Sequence, residues 1–200
     1  YLTLSKKLTS RLDWSSSYSG SYLQYLDYGD GDYTDHIFTV TKLKWQPGRM
    51  WRVEGWTELE HNYYPTGNDS SYRNWKMVGR VRQNLLRAWY HQAQYEWFLR
   101  DYTRKNARDG AGSETRNDRK DLRHRIRYKV GTTVKKALLS VENEFYWHNS
   151  NDARQDFYDA QDWKITGAVS GSATKKLYLS GSLAFDRKNY LTRKVTGINA

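Results

Sequence analysis

The segment Lys120-Asp121-Leu122-Arg123-His124-Arg125-Ile126-Arg127-Tyr128-Lys129-Val130 alternates residue by residue, and it sets the reading of the whole chain. One parity carries Leu122, His124, Ile126, Tyr128 and Val130; the other carries Arg123, Arg125, Arg127 and Lys129. Side chains on a strand point to opposite faces in turn, so this is a strand with one mostly apolar face and one basic face. Gly131-Thr132-Thr133 reads as a turn, and Val134 to His148 as the return arm. On that arm Ala137, Leu139, Val141, Phe145 and Trp147 share one parity, and Lys136, Ser140, Glu142 and Glu144 the other. The pair is a long hairpin whose polar face brings opposite charges together, with Arg123 expected near Glu142.

The same pattern extends in both directions. Leu12, Trp14 and Tyr18 oppose Arg11, Asp13, Ser15 and Ser17, after a tight turn at Ser5-Lys6-Lys7. Ile37, Leu43 and Trp45 oppose Lys42 and Lys44; Trp51, Val53 and Leu59 oppose Arg52, Glu54, Glu58 and Glu60. Trp75, Met77, Gly79 and Val81 oppose Lys76, Arg80 and Arg82, and Trp89, Ala93, Tyr95, Trp97 and Leu99 oppose Gln92, Gln94 and Glu96. Trp163, Ile165 and Val169 oppose Lys164 and Thr166; Leu177, Leu179, Leu183 and Phe185 oppose Tyr178, Ser180, Ser182 and Asp186.

Connections alternate between short and long. Gln46-Pro47-Gly48-Arg49 is a short turn, since proline presets φ and glycine tolerates positive φ. Short turns are also expected near Asn84 and over Ser170 to Thr174. Long polar loops are expected over Asp27–Asp35, Pro65–Ser71, Lys105–Arg119 and Asn149–Gln155. Lys6-Lys7-Leu8, Lys135-Lys136-Ala137-Leu138 and Lys175-Lys176-Leu177 resemble one another as strand openings. The repeating unit, roughly forty residues, is a hairpin, and all the short turns fall on one side.

Composition narrows the class. Aromatic residues are 16% of the chain, with 17 Tyr and 9 Trp against 5 Phe, and such amphipathic rings suit a membrane–water boundary. With no Cys there is no disulfide, thiolate metal site or Cys-x-x-Cys-His haem attachment. No apolar run reaches the ~18 residues of a membrane-crossing helix. A mean hydropathy of −0.98 is compatible with a transmembrane barrel, where polar lumen and loops outweigh one apolar band. Tyr1 reads as the interior of a mature chain rather than a translation start. The net charge of +11 and pI near 9.7 favour acidic partners: nucleic acid, anionic headgroups or acidic sugars. Charges spread at period two over many strands fit a membrane barrel better than a nucleic-acid interface.

On dyad alternation, aromatic enrichment, turn asymmetry and the Lys-Lys-Leu strand openings, nearly all of the chain resembles the transmembrane β-barrels of Gram-negative outer membranes. The charged, aromatic-rich strands look somewhat like the small porins for acidic oligosaccharides. That resemblance implies an all-β, antiparallel up-and-down transmembrane barrel, one domain over residues 1–200, in the bacterial outer membrane. Such barrels end on an aromatic residue, whereas this chain ends Gly197-Ile198-Asn199-Ala200. The pattern gives about nine strands and an N-terminal stub where single-chain barrels have an even number, so part of a larger barrel is expected.

The expected lumen-facing bases are Lys42, Lys44, Arg52, Lys76, Arg80, Arg82, Arg123, Arg125, Arg127, Lys129, Lys136 and Lys164. The expected lumen-facing acids are Glu54, Glu58, Glu60, Glu96, Glu142 and Glu144. Rings of Arg and Lys favour anions and grip carboxylates, which makes an anion path; pairing of the acids with these bases instead makes a neutralised, closed lumen. Trp14, Trp45, Trp51, Trp75, Trp89, Trp97, Trp147 and Trp163 read as girdle residues. His36, His61, His91, His124 and His148 lack metal-ligand spacing, and no Gly-x-Ser-x-Gly or glycine-rich phosphate loop occurs.

The reading is therefore a porin-like channel for anionic solutes, acidic saccharides among them, with no cofactor and no enzymatic step. Its expected partners are outer-membrane lipid, lipopolysaccharide and the anionic solute. The alternative is a structural or export barrel within a larger complex, its lumen filled by a plug or protein partner. A soluble antiparallel β protein with a half-buried sheet has the same alternation.

Overall fold

A computed structural model describes residues 1–23, 33–64, 71–85, 88–152, 159–172 and 177–190. The chain is all-β. Ten strands form a single antiparallel up-and-down sheet in chain order: β1 Leu2–Thr9, β2 Leu12–Leu23, β3 Tyr33–Trp45, β4 Trp51–Tyr63, β5 Tyr72–Leu85, β6 Trp89–Arg108, β7 Glu114–Val134, β8 Ala137–Ser150, β9 Ala160–Ser172 and β10 Tyr178–Tyr190. Every neighbour is its neighbour in sequence, the topology of an up-and-down barrel wall. The sheet is not closed: β1 pairs only with β2, and β10 only with β9.

The sheet is polar on its protected face and apolar on its open face. Glu54, Asn62, Asn74 and Gln94 are buried, whereas Trp75, Met77, Val141, Leu183 and Phe185 are more than half exposed. Among the described residues only Val78, Ala107 and Ala160 form buried apolar positions. A soluble sheet buries its apolar side; here the sheet curls toward its charges.

Several expected boundaries move. The stub and Ser5–Lys7 turn are instead part of β1, which runs to Thr9 and turns at Ser10-Arg11. That turn is tied to its neighbour: Gln46 donates its backbone N–H to the Arg11 carbonyl at 2.8 Å, and Arg11 Nη1 donates to the Pro47 carbonyl at 2.8 Å. Gly131-Thr132-Thr133 is not a turn either. β7 continues to Val134, opposite Ala137, and the turn is Lys135-Lys136, with Lys135 at φ 54°. Gly131 is there because the Tyr90 ring of β6 lies over it: a Cβ on residue 131 would meet ring atoms at 2.5 Å. The displaced turn changes the register, so Arg123 faces His148 and Glu142 faces Lys129.

The Lys105–Arg119 loop is mostly strand as well. β6 and β7 pair beyond Asp101, through Asn106↔Asp118 and Arg108↔Glu114, with register shifts between, and only residues 109–113 turn. The Asp109 carboxylate accepts the backbone N–H groups of Ala111 (3.0 Å) and Ser113 (2.9 Å) to close that tip. The expected loop at 27–35 falls largely, and that at 65–71 almost wholly, outside the described residues, as does the Lys175-Lys176 repeat; of the turn expected at 170–174, residues 170–172 are instead the end of β9 and the other two lie outside the described residues.

One bulge reverses a face. In the β3–β4 ladder Thr39 faces Glu58 while Thr41 faces Thr57, which leaves Val40 as an extra residue. Below it Lys42 and Lys44 point to the charged face; above it Thr39 and Ile37 do. Ile37 therefore lies opposite Glu60 rather than beside Leu43 and Trp45, and Phe38 takes the apolar side opposite Leu59.

Candidate functional site: the charged face

The register assembles one row across all ten strands: Lys7, Asp13, Lys44, Glu54, Arg80, Gln94, Arg127, Glu144, Lys164 and Asp186. Apart from Gln94 the sign alternates at each step. Antiparallel neighbours on one face stand close enough for such pairs to interact directly.

Glu54 is the best-buried member, 4% exposed. It accepts from Arg52 Nη2 (2.5 Å) and Nε (2.9 Å) on its own strand and from Arg80 Nη1 across the ladder (3.1 Å). Arg80 also donates through Nε to Gln94 Oε1 at 2.8 Å, which carries the network from β4 to β6. On β7, Arg125 and Arg127 stand between two carboxylates. Glu96 lies 3.5 Å from each guanidinium, and Glu144 lies 3.7 and 3.8 Å from them. Lys76 meets Glu58 at 2.9 Å, and Trp56 Nε1 donates to the other oxygen of that carboxylate at 2.7 Å. Arg119–Asp121 (3.0 Å), Lys129–Glu142 (3.7 Å), Lys188–Asp162 (3.9 Å) and Lys44–Asp13 (4.0 Å) are further pairs of this face.

Of the bases read from sequence, Lys42, Arg82, Arg123 and Lys164 have no carboxylate within 4.0 Å among the described residues. Three of them lie against rings instead. Lys42 is 5.4 Å from the Trp56 ring centroid, Arg82 3.9 Å from that of Tyr90, and Arg123 5.2 Å from that of Phe98. Cation–π contacts at exposed sites are worth ~0.5–1 kcal/mol. Glu60 likewise has no cation within 4.0 Å among the described residues. It accepts from the Tyr72 hydroxyl (3.0 Å) and Asn74 Nδ2 (2.6 Å). Lys136 is not on the face at all: it sits in the β7–β8 turn, because the strand runs four residues further than the glycine implied.

Sequence reading missed the aromatics of this face: Trp56, Tyr72, Tyr90, Phe98 and Tyr146. The signal was available, because Trp56 shares parity with Glu54 and Glu58, Phe98 with Glu96, and Tyr146 with Glu144. Arg125 lies 5.5 Å from the Tyr146 ring and Arg100 4.0 Å from the Tyr72 ring. The charged face is thus a lattice of guanidinium, carboxylate and ring.

The eight tryptophans expected in girdles all share the opposite, apolar face. Trp45, Trp51, Trp75, Trp89 and Trp163 are exposed there. Three histidines on that face are each bonded to a tyrosine: His36 Nδ1 to Tyr18 (2.6 Å), His124 Nδ1 to Tyr95 (2.7 Å) and His91 Nδ1 to Tyr128 (3.3 Å). Pairing satisfies both polar tips on an otherwise apolar surface. Among the described residues no cluster of His, Asp or Glu could hold a metal ion.

No family model matches this sequence, and comparison with curated proteins finds no match. Among solved structures, the copper transporter OprC is similar over 89% of this chain, with 14% sequence identity and a TM-score of 0.48. The chain spans 33% of the length of that structure.

Proposed function

We propose that this sheet is part of the wall of a transmembrane β-barrel in the bacterial outer membrane, and that its charged face lines a diffusion path for anionic solutes, acidic saccharides among them. The apolar face is in contact with outer-membrane lipid, lipopolysaccharide included, and the solute passes on the other side. The carrying observation is the surplus of cations on the charged face: Lys42, Arg82, Arg123 and Lys164 have no carboxylate partner among the described residues, while of the six acids read from sequence only Glu60 has no base within 4.0 Å among them. Fixed cations along a path lower the energy of a passing anion and raise that of a cation. No catalytic step or cofactor enters this reading.

The test is the reversal potential of the full-length protein in a planar bilayer under a KCl gradient. Anion preference is expected, and it falls when Arg123, Arg125 and Arg127 are all replaced by serine. If selectivity does not move, the path does not run along this face.

A second reading, a structural or export barrel with its lumen filled by a partner, is favoured by the extent of ion pairing. A correctly folded barrel that conducts no ions supports it; a lone conducting species removes it.

A further inference from the structure

We infer that the charged face holds a binding pocket for a short zwitterion, its carboxylate on Arg123 and its ammonium on Glu60. The pocket is a cavity of about 180 Å³ formed over β4 to β8. Its other charges are already spent, since Lys76 is held by Glu58 and Arg125 by Glu96. What remains is one cation and one anion on opposite walls.

On the β7 side, Arg123 Nε, like the Nε of Arg125 and Arg127, is buried without a hydrogen-bond partner, and of the three only Arg123 has no carboxylate within 4.0 Å among the described residues. The guanidinium is braced against Phe98, and the Tyr146 ring lines the same cavity. A buried donor left unmade is costly, and a planar carboxylate satisfies a guanidinium edge through two parallel bonds. On the β4 side, Glu60 is fixed by Tyr72 and Asn74 but has no counter-ion among the described residues. The two hydrogen bonds orient it without neutralising it, and an ammonium would do that.

Spacing sets the ligand. Glu60 is in register with Asp121, so it and Arg123 lie three strands and two residues apart, ~16 Å between backbones at ~4.8 Å per strand and ~3.4 Å per residue. Both side chains point to the inside of the curve and shorten that gap. A tripeptide spans at most ~10 Å end to end, whereas a single amino acid is too short to touch both walls. The ligand class is therefore a carboxylate carrying an ammonium several bonds away, of tripeptide size. The pocket adds a net-neutral solute to the proposed path and depends on that reading only for access from solvent.

The experiment is titration calorimetry of the folded, full-length protein in detergent with triglycine, triglycinamide and N-acetyl-triglycine. Triglycine is expected to bind at least tenfold more tightly than either blocked form. Arg123→Gln should abolish the preference over the amide, and Glu60→Gln the preference over the acetylated peptide. Arg123→Lys, which keeps the charge and removes the planar edge, should weaken triglycine severalfold. Equal binding of the three peptides to the unaltered protein, or no binding by any, overturns the pocket and needs no variant to fold. Discrimination in a protein without anion preference leaves the pocket standing while the anion path fails; anion preference without discrimination does the reverse.

Discussion

Arg80 on β5 reaches across the ladder to Glu54 on β4, Nη1 to Oε2 at 3.1 Å, and meets there a carboxylate already held by Arg52. Two guanidiniums share one acid that is 4% exposed. Removing the acid leaves two cations side by side with no carboxylate between them. Glu54→Gln is expected to destabilise the folded protein by ~2–4 kcal/mol, since hydrogen bonds to charged groups are worth more than neutral ones and unpaired protected charges cost more still. Denaturant unfolding of the reconstituted protein measures it. Arg52→Gln should cost less, because Arg80 still compensates Glu54.

Gly131 and Tyr90 make a second fixed contact. Any side chain at residue 131 must displace the ring, which also stacks under Arg82. Gly131→Ala is expected to cost ~1–3 kcal/mol, the usual range for overpacking. Tyr90→Ala in the same chain should recover part of that cost, so the two substitutions are non-additive in a double-mutant cycle. Additivity would mean that glycine at residue 131 serves backbone freedom instead.

The contact also explains what was legible in the sequence. Period-two alternation revealed the strands and both faces, because one face is apolar and the other charged over most of the sheet. It failed where a residue serves a neighbour on another strand. Gly131 resembles a turn residue until Tyr90 is placed over it. Alternation alone puts Ile37 on the wrong face, because a single extra residue, Val40, is invisible in a pattern that tolerates Thr on either side. Trp56, Phe98 and Tyr146 were passed over because aromatic residues were read as membrane contacts, while their parity assigned them to the charges. The ion pairs followed the register, so the displaced β7–β8 turn moved the expected partner of Arg123 from Glu142 to His148.

The Lys135-Lys136 turn itself is improvable. Lys135 adopts a left-handed conformation, φ 54°, that costs a side chain ~1 kcal/mol and glycine nothing. Lys135→Gly should raise stability by a few tenths to ~1 kcal/mol with no change in ion selectivity. A drop in stability would mean that the lysine makes a contact that matters more than its backbone strain.

The apolar face separates a membrane barrel from a soluble sheet. Met77 lies near the middle of β5 on that face and is 55% exposed. In water, Met77→Arg would be nearly neutral, within ~0.5 kcal/mol, as exposed substitutions usually are. In a bilayer the same change is expected to cost ~2–4 kcal/mol, the penalty for arginine at the hydrocarbon midplane of a barrel. Folding into lipid vesicles measures it, with Met77→Leu as the neutral control.

Glu96 and Glu144 test the electrostatics from the other side. Each lies within 3.8 Å of both Arg125 and Arg127, so the quartet is neutral as it stands. Replacing both acids with glutamine keeps the shape and leaves two cations uncompensated where the row crosses β7. Anion preference is expected to increase, and the increase should shrink from 0.1 M to 1 M salt, as the screening length falls from ~10 to ~3 Å. An unchanged reversal potential in a variant that folds and conducts would place the ion path away from β7. A shift toward cations would mean that the guanidiniums collapse once their partners are gone, so that their charge depends on the acids for its position.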